Sequence, residues 1–208
     1  MPPEPGGAYL QARDIRQLAE TYELTPQKSK GQNFLGDANT VRKIVTLSGV
    51  QPGDSVVEVG PGFGSLTVGL LHAGTSVTAI EIDPRLAEAT RDVVATRLPG
   101  AELGVVTADA LRLEEVPGSP DYLVANLPYN VAVPVVIHLL SLHPGFRRVL
   151  VMVQAEVGWR IAAAPGSEHY GSPSAKCAWW GKWSVESTIS RRVFWPEPRV
   201  DSVLVGMH

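Results

Sequence analysis

Between residues 55 and 153, short runs of β-branched and aliphatic residues alternate with segments of helical period, which leaves few architectures open. The runs Ser55–Val59, Ser76–Ile80, Leu103–Thr107, Asp121–Ala125 and Val149–Val153 read as strands. Helices read between them at Leu66–Leu71, ending near Gly74, at Pro84 to about Leu98, stopped by Pro99-Gly100, and at Val133–Leu142. Repeated βα units of this length demand an α/β fold with a mostly parallel sheet and helices on both faces. A short helix over Glu156–Ala163 follows. Ala175–Ser184 and Val200–Met207 then look like two strands with no long helix between them, which predicts an antiparallel last pair at the edge of a seven-stranded sheet.

Upstream, residues 1–7 read as a flexible tail. Tyr9 to Leu24 carries Leu10, Ile15, Leu18, Ala19 and Tyr22 at helical spacing, and Pro26 ends that helix. Lys28–Leu35 reads as a loop, and Asp37 caps a helix over Ala38–Ser48 that stops at Gly49. A tail and helix over residues 1–25 would thus precede the main domain, residues 26–208.

With 44% hydrophobic and 19% charged residues the chain can build a core, and no apolar run is long enough to span a bilayer. The N-terminus lacks the basic and apolar segments of a signal peptide. One cysteine, Cys177, fits a reducing interior and a small core residue. No Cys/His cluster suggests a metal. Charge is uneven: residues 1–146 hold ten Lys/Arg against sixteen Asp/Glu, and residues 147–208 hold eight against five. A basic C-terminal portion is compatible with an anionic polymer.

In such a sheet, ligands bind beyond the carboxyl ends of the strands. One strand tip there is unusual. The apolar run Tyr122–Ala125 ends in Asn126-Leu127-Pro128-Tyr129-Asn130. Leu127 is held extended by the proline after it, and Pro128 fixes its own φ. The corner offers the Asn126 amide, the Leu127 carbonyl and the Tyr129 ring, a set suited to a planar heterocycle bearing an NH₂. The loop after the first strand is Gly60-Pro61-Gly62-Phe63-Gly64, with the spacing G-x-G-x-G rather than the G-x-G-x-x-G of dinucleotide binders. Glu58 beside it would repel a pyrophosphate but suit a cation, such as the sulfonium and ammonium of S-adenosylmethionine. Glu81 ends the second strand, 21 residues after Gly60, where a carboxylate can accept ribose hydroxyls. Asp109 follows the third strand and can accept from an adenine amino group, whereas Asp83 reads as a helix cap.

Gly31-Gln32-Asn33-Phe34-Leu35, Glu58-Val59-Gly60-Pro61-Gly62, Glu81-Ile82-Asp83, Asp109-Ala110, Asn126 to Asn130, and Phe194-x-Pro196-x-Pro198-x-Val200-Asp201-Ser202 occur in one order. Together, and with Ala164-Pro165-Gly166-Ser167 and Tyr170-Gly171, they resemble the KsgA family of small-subunit ribosomal RNA adenine dimethyltransferases. The resemblance implies a Rossmann-like class I S-adenosylmethionine-dependent methyltransferase domain over residues 26–208. Its reaction would be dimethylation of N6 of two adjacent adenosines in a hairpin loop near the 3′ end of 16S rRNA. The partner would be the immature 30S subunit in the cytoplasm, met by a monomer that needs no metal.

Residue by residue, the resemblance implies that Asn33 and Leu35 cover the cofactor, Gly60 lies under it, Glu81 with Ile82 holds its ribose, and Asp109 with Ala110 reads its adenine. Asn126 would lie between cofactor and base, with Leu127, Pro128 and Tyr129 completing the catalytic corner. Phe194 would face Tyr129 across the target adenine. The resemblance implies that full-length relatives continue into a small helical domain, which is expected to lie outside residues 1–208. Trp179, Trp180 and Trp183 match no motif and read as sheet packing rather than as an RNA-facing surface; His138 and His143 read as structural. The competing readings are an Erm-like 23S rRNA methyltransferase, a non-catalytic rRNA-binding assembly factor, and an N6-adenine DNA or glutamine-amide methyltransferase.

Overall fold

The computed structural model describes residues 7–26 and 31–208. The tail expected over residues 1–7 lies outside them except for Gly7, as do Lys28–Lys30 of the expected loop. Helix α1 (Ala12–Thr21) is shorter than its periodicity suggests and starts where Asp14 accepts from the Gln11 N–H at 2.8 Å. Strand β1 (Phe34–Leu35) comes next, then α2 (Ala38–Ser48), capped by Asp37, which accepts from Thr40 N at 2.7 Å.

The βα series follows: β2 (Ser55–Val59), α3 (Ser65–His72), β3 (Ser76–Glu81), α4 (Pro84–Arg97), β4 (Leu103–Thr107), β5 (Tyr122–Asn126), α5 (Ala132–Leu142) and β6 (Arg148–Gln154). Asp83 caps α4, its carboxylate accepting from Arg85 N at 3.0 Å, and proline occupies the first turn, where its missing N–H costs nothing. The end of the chain comprises α6 (Ala155–Ile161), α7 (Ser172–Ala178), β7 (Trp183–Ile189), β8 (Phe194–Trp195) and β9 (Ser202–Met207).

Seven strands form one sheet in the order β4-β3-β2-β5-β6-β9-β7. β2 to β6 are mutually parallel, whereas β9 runs antiparallel between β6 and β7. The antiparallel pair at the edge is as expected, but one of its strands is not Ala175–Ser184. Ser172-Pro173 opens a helix there, the Gly171 N–H donating to Ser174 Oγ at 3.0 Å, and the strand begins only at Trp183.

Alternate residues of the central strands pack into two cores. Val56, Val124, Leu150 and Leu204 join α2 and α3 on one face. Val57, Leu123, Val149 and Val203 join α5 on the other. Strands buried on both sides need continuous apolar runs, which is what these segments supply.

The Lys28–Leu35 segment departs from a loop at its end. Phe34 pairs with Trp195 and Leu35 with Phe194, antiparallel, in a separate two-stranded ribbon. This ribbon clamps the segment before α2 to the segment before β9 at the carboxyl end of the sheet.

Candidate active site

At the carboxyl ends of β2, β3, β4 and β5 lies a cavity of about 370 Å³, within the usual size of a small-ligand site. It is lined by Asn33, Leu35, Gly60, Glu81, Ile82, Asp109, Ala110, Asn126, Leu127, Pro128 and Tyr129, so all but one of the expected site residues meet there. The exception is Phe194. Its side chain is 5% exposed, packs in the core with α1 and α2, and pairs through its backbone with Leu35. It is not among the residues that line the cavity.

The floor is the turn after β2. Gly60 has φ +70, and a Cβ there would stand 3.5 Å from Pro128 Cδ, so the glycine turn and the proline corner abut. Gly62 has φ +61, and a Cβ would come within 2.8 Å of Phe34 Cδ1. The Phe34 and Phe63 rings meet at 4.5 Å and close that side.

Glu81 is 5% exposed, and its two oxygens accept from the backbone N–H groups of Asp83 (3.1 Å) and Gly62 (3.3 Å). Burial raises its pKa above the ordinary carboxylate value, and those N–H groups oppose the shift. With the Ile82 N–H as a third donor, the carboxylate still keeps acceptor capacity for a hydroxyl. Asp109 accepts from Leu111 N at 3.0 Å and lies 3.6 Å from Arg112 Nε. Ile82 is 66% exposed, and Leu111 lines the same wall. Two exposed aliphatic side chains beside a carboxylate suit the faces and the amino edge of a purine.

Glu58 departs from its expected role. It is 1% exposed and accepts from Thr67 Oγ1 at 2.6 Å. Burial pushes its carboxyl up to about 8, against the Thr67 bond and helped by the charge of Glu81, so at neutral pH it is an uncharged acid. No sequence signal marks Thr67 as its partner, because α3 brings it there only in the fold.

At the tip of β5 the corner is fixed from three sides. The Leu127 N–H donates to the Met152 carbonyl at 3.1 Å. Asn126 Nδ2 donates to the Asn33 carbonyl at 3.3 Å, which commits the amide nitrogen and leaves Oδ1 as the acceptor. The Tyr129 hydroxyl and Ser202 Oγ share a 2.7 Å hydrogen bond, and burial raises the phenol pKa. Ser202, fully buried on β9, has no sequence signal of its own.

Other side chains behave more plainly. Cys177 is fully buried, and burial pushes its thiol up to about 11, so it is a core residue. His138 and His143 hydrogen-bond the carbonyls of Leu113 and Pro120, each at 3.0 Å. Trp183 packs and donates to Cys177 O at 2.9 Å, and Trp180 is half-buried, whereas Trp179 is 82% exposed and is not packing. It stands at the C-terminal cap of α7. Among the described residues no group of three or more His, Cys, Asp or Glu could hold a metal. No described helix is long and apolar enough to cross a membrane.

Residues 24–208 match the family model described as ribosomal RNA adenine dimethylase. The chain belongs to that family. One relative, the ribosomal RNA small subunit methyltransferase A of Leifsonia xyli subsp. xyli, is 58% identical over 195 residues, 93% of this chain and 70% of the relative. Among solved structures, a dimethyladenosine transferase from Plasmodium falciparum superposes with a TM-score of 0.74 at 30% identity, over 84% of this chain and 62% of that one. The 23S rRNA methyltransferase ErmE gives 0.71 at 31%, over 85% and 69%. The family's fold is that of class I S-adenosylmethionine-dependent methyltransferases, and the strand order here conforms to it.

Proposed function

We propose that this chain transfers methyl groups from S-adenosylmethionine to N6 of two adjacent adenosines in a hairpin loop near the 3′ end of small-subunit rRNA. The observation that carries the reading is the abutment of the Asn126–Tyr129 corner on the glycine turn, which puts a set of amide and carbonyl acceptors against a cavity ringed by Glu81 and Asp109. The 58% identity to a small-subunit methyltransferase favours that RNA over the large-subunit target of the solved neighbour at 31%. On this reading the chain acts as a monomer in the cytoplasm, on immature small subunits.

The cavity fits S-adenosylmethionine. Glu81 stands at its wall as an acceptor for hydroxyls, and Asp109 lies there beside the exposed Ile82 and Leu111 side chains, which suit a purine. When bound, that cofactor supplies an electrophilic methyl group on a sulfonium. Asn33, Leu35, Gly60, Glu81, Ile82, Asp109 and Ala110 would hold it, and Asn126 would border it with its Oδ1 turned to the base and add little to its affinity.

Adenine N6 is a weak nucleophile because its lone pair is delocalised into the ring. Asn126 Oδ1 and the Leu127 carbonyl accept from its NH₂, favouring a more pyramidal nitrogen whose lone pair is free to attack. Pro128 keeps the two oxygens in register. Holding both reactants in line contributes on the order of 7–11 kcal/mol at the upper end of such effects. No strong base is required, because the nitrogen becomes acidic once alkylated. The target must leave its stack to reach the corner, and the Tyr129 ring offers its face, worth roughly 1–3 kcal/mol per base.

Asn126→Ala tests the reading. Transfer to immature small subunits should fall by on the order of 10²–10³, while calorimetric affinity for S-adenosylmethionine stays within a few-fold. Undiminished transfer removes Asn126 from the reaction. Labelling isolated large subunits in preference to small ones would move the enzyme to the Erm-like class.

A further inference from the structure

Two groups of side chains outside the cavity have no role in the chemistry above, and the fold joins both to the catalytic corner. The loop between β7 and β9 leaves the sheet at Ile189 and re-enters at Ser202, two residues that pair with each other. Ser202 also pairs with Gln154 and holds the Tyr129 hydroxyl. The loop therefore stands at the catalytic end of the sheet. Of its three arginines, Arg191 is taken up by Glu197 at 2.9 Å and by the Arg199 carbonyl at 3.1 Å. The guanidinium groups of Arg192 and Arg199 are exposed and have no partner among the described residues.

The second group lies on α6, which starts from the same junction, the Ala155 N–H donating to the Asp201 carbonyl at 3.1 Å. Gly158 and Ile161 face the sheet, while Trp159 is 46% exposed on the outer side. The His169 ring lies against Trp159 at 5.6 Å, only 31° from parallel, and Tyr170 beside it is 41% exposed. Burying two large aromatics would stabilise the chain, so their exposure in one place calls for an occupant. Arg160 on this helix is paired with Glu156 at 2.8 Å, and Glu168 adjoins His169. This part offers flat rings without free positive charge, a surface for base faces and not for phosphates.

We infer that this junction is the docking surface for the RNA flanking the target adenine. Arg192 and Arg199 take backbone phosphates on one side of the corner, and the Trp159–His169–Tyr170 shelf stacks an unpaired base on the other. The inference rests on the proposed function for its occupant. It adds which faces grip the RNA and by which chemistry.

The two chemistries separate in a salt titration. Binding of the full chain to immature small subunits lacking the methyl groups should weaken with salt, each phosphate contact adding about 0.7–0.9 to the logarithmic slope. Arg192→Ala with Arg199→Ala should flatten that slope by about 1.4–1.8, and Arg192→Lys with Arg199→Lys should restore most of it. Trp159→Ala should weaken binding by roughly 5- to 150-fold at unchanged slope. Trp179→Ala, an exposed tryptophan off this surface, should bind as wild type. Melting temperature and S-adenosylmethionine affinity should hold in every variant. If the wild type methylates small-subunit adenines but the alanine variants keep its slope and affinity, the docking surface is wrong and the function stands. If the wild type methylates no small-subunit adenine, the proposed function fails, and this occupant with it.

Discussion

Replacing Glu58 with glutamine makes the buried acid beneath the glycine turn unable to ionise. Burial, opposed by the Thr67 hydrogen bond and helped by Glu81, raises its carboxyl from 4.5 to about 8 in the folded chain. In the unfolded chain it ionises near the ordinary value. Between those values the unfolded chain has lost a proton that the folded chain keeps, so stability falls as pH rises, by about 1.4 kcal/mol per unit. Over the whole interval from 4.5 to about 8 the loss has a ceiling of ~5 kcal/mol, and the curve flattens above it. The amide of Glu58→Gln is neutral throughout, and Thr67 can still donate to it. The two chains should therefore be nearly equal in stability at about pH 5 and differ by several kcal/mol in favour of the variant at about pH 9. Urea unfolding of both across this range measures it, and groups that do not interact with Glu58 cancel in the difference. A difference that stays constant with pH would show that Glu58 is already ionised in the fold, and would refute the burial reasoning.

Gly62→Ala puts a Cβ 2.8 Å from Phe34 Cδ1 at a φ of +61; a loss of about 2 kcal/mol or more should appear in the melting curve, with weaker S-adenosylmethionine binding by calorimetry. Tyr129→Phe leaves Ser202 Oγ buried without its partner, and should cost about 1–3 kcal/mol in chemical denaturation as well as slowing transfer. Asp37→Ala removes the α2 cap, and should cost about 1 kcal/mol while cofactor affinity stays unchanged.

The legible parts of the fold are those where local pattern and tertiary demand agree. The strands over Ser55–Val59 and Leu103–Thr107 occur with the bounds their β-branched runs suggest, the first because burial on both faces leaves little else for such a run to do, the second as a partly exposed edge strand paired with β3. Ala175–Ser184 carries no decisive period: small residues, a cysteine and two tryptophans suit a strand or a short helix equally, and Pro173 at the first turn settles it as a helix. Acids at successive strand tips were sufficient to locate the cavity, since strand ends converge in any parallel sheet. What they do there was less legible. The neutral state of Glu58 depends on Thr67 and on depth, and the burial of Phe194 depends on pairing with Leu35, far away in the chain. The exposure of Trp179 likewise follows from where α7 stops.

The ribbon of Phe34–Leu35 with Phe194–Trp195 has a temporal consequence. One wall of the cavity, built by Asn33, Phe34 and Leu35, is synthesised early but is clamped by Phe194 and Trp195, which follow it far along the chain. A growing chain can lay down its parallel strands and still present only a half-walled cleft. A chain interrupted before Phe194 would carry the residues that line the cavity and still leave that wall without its clamp.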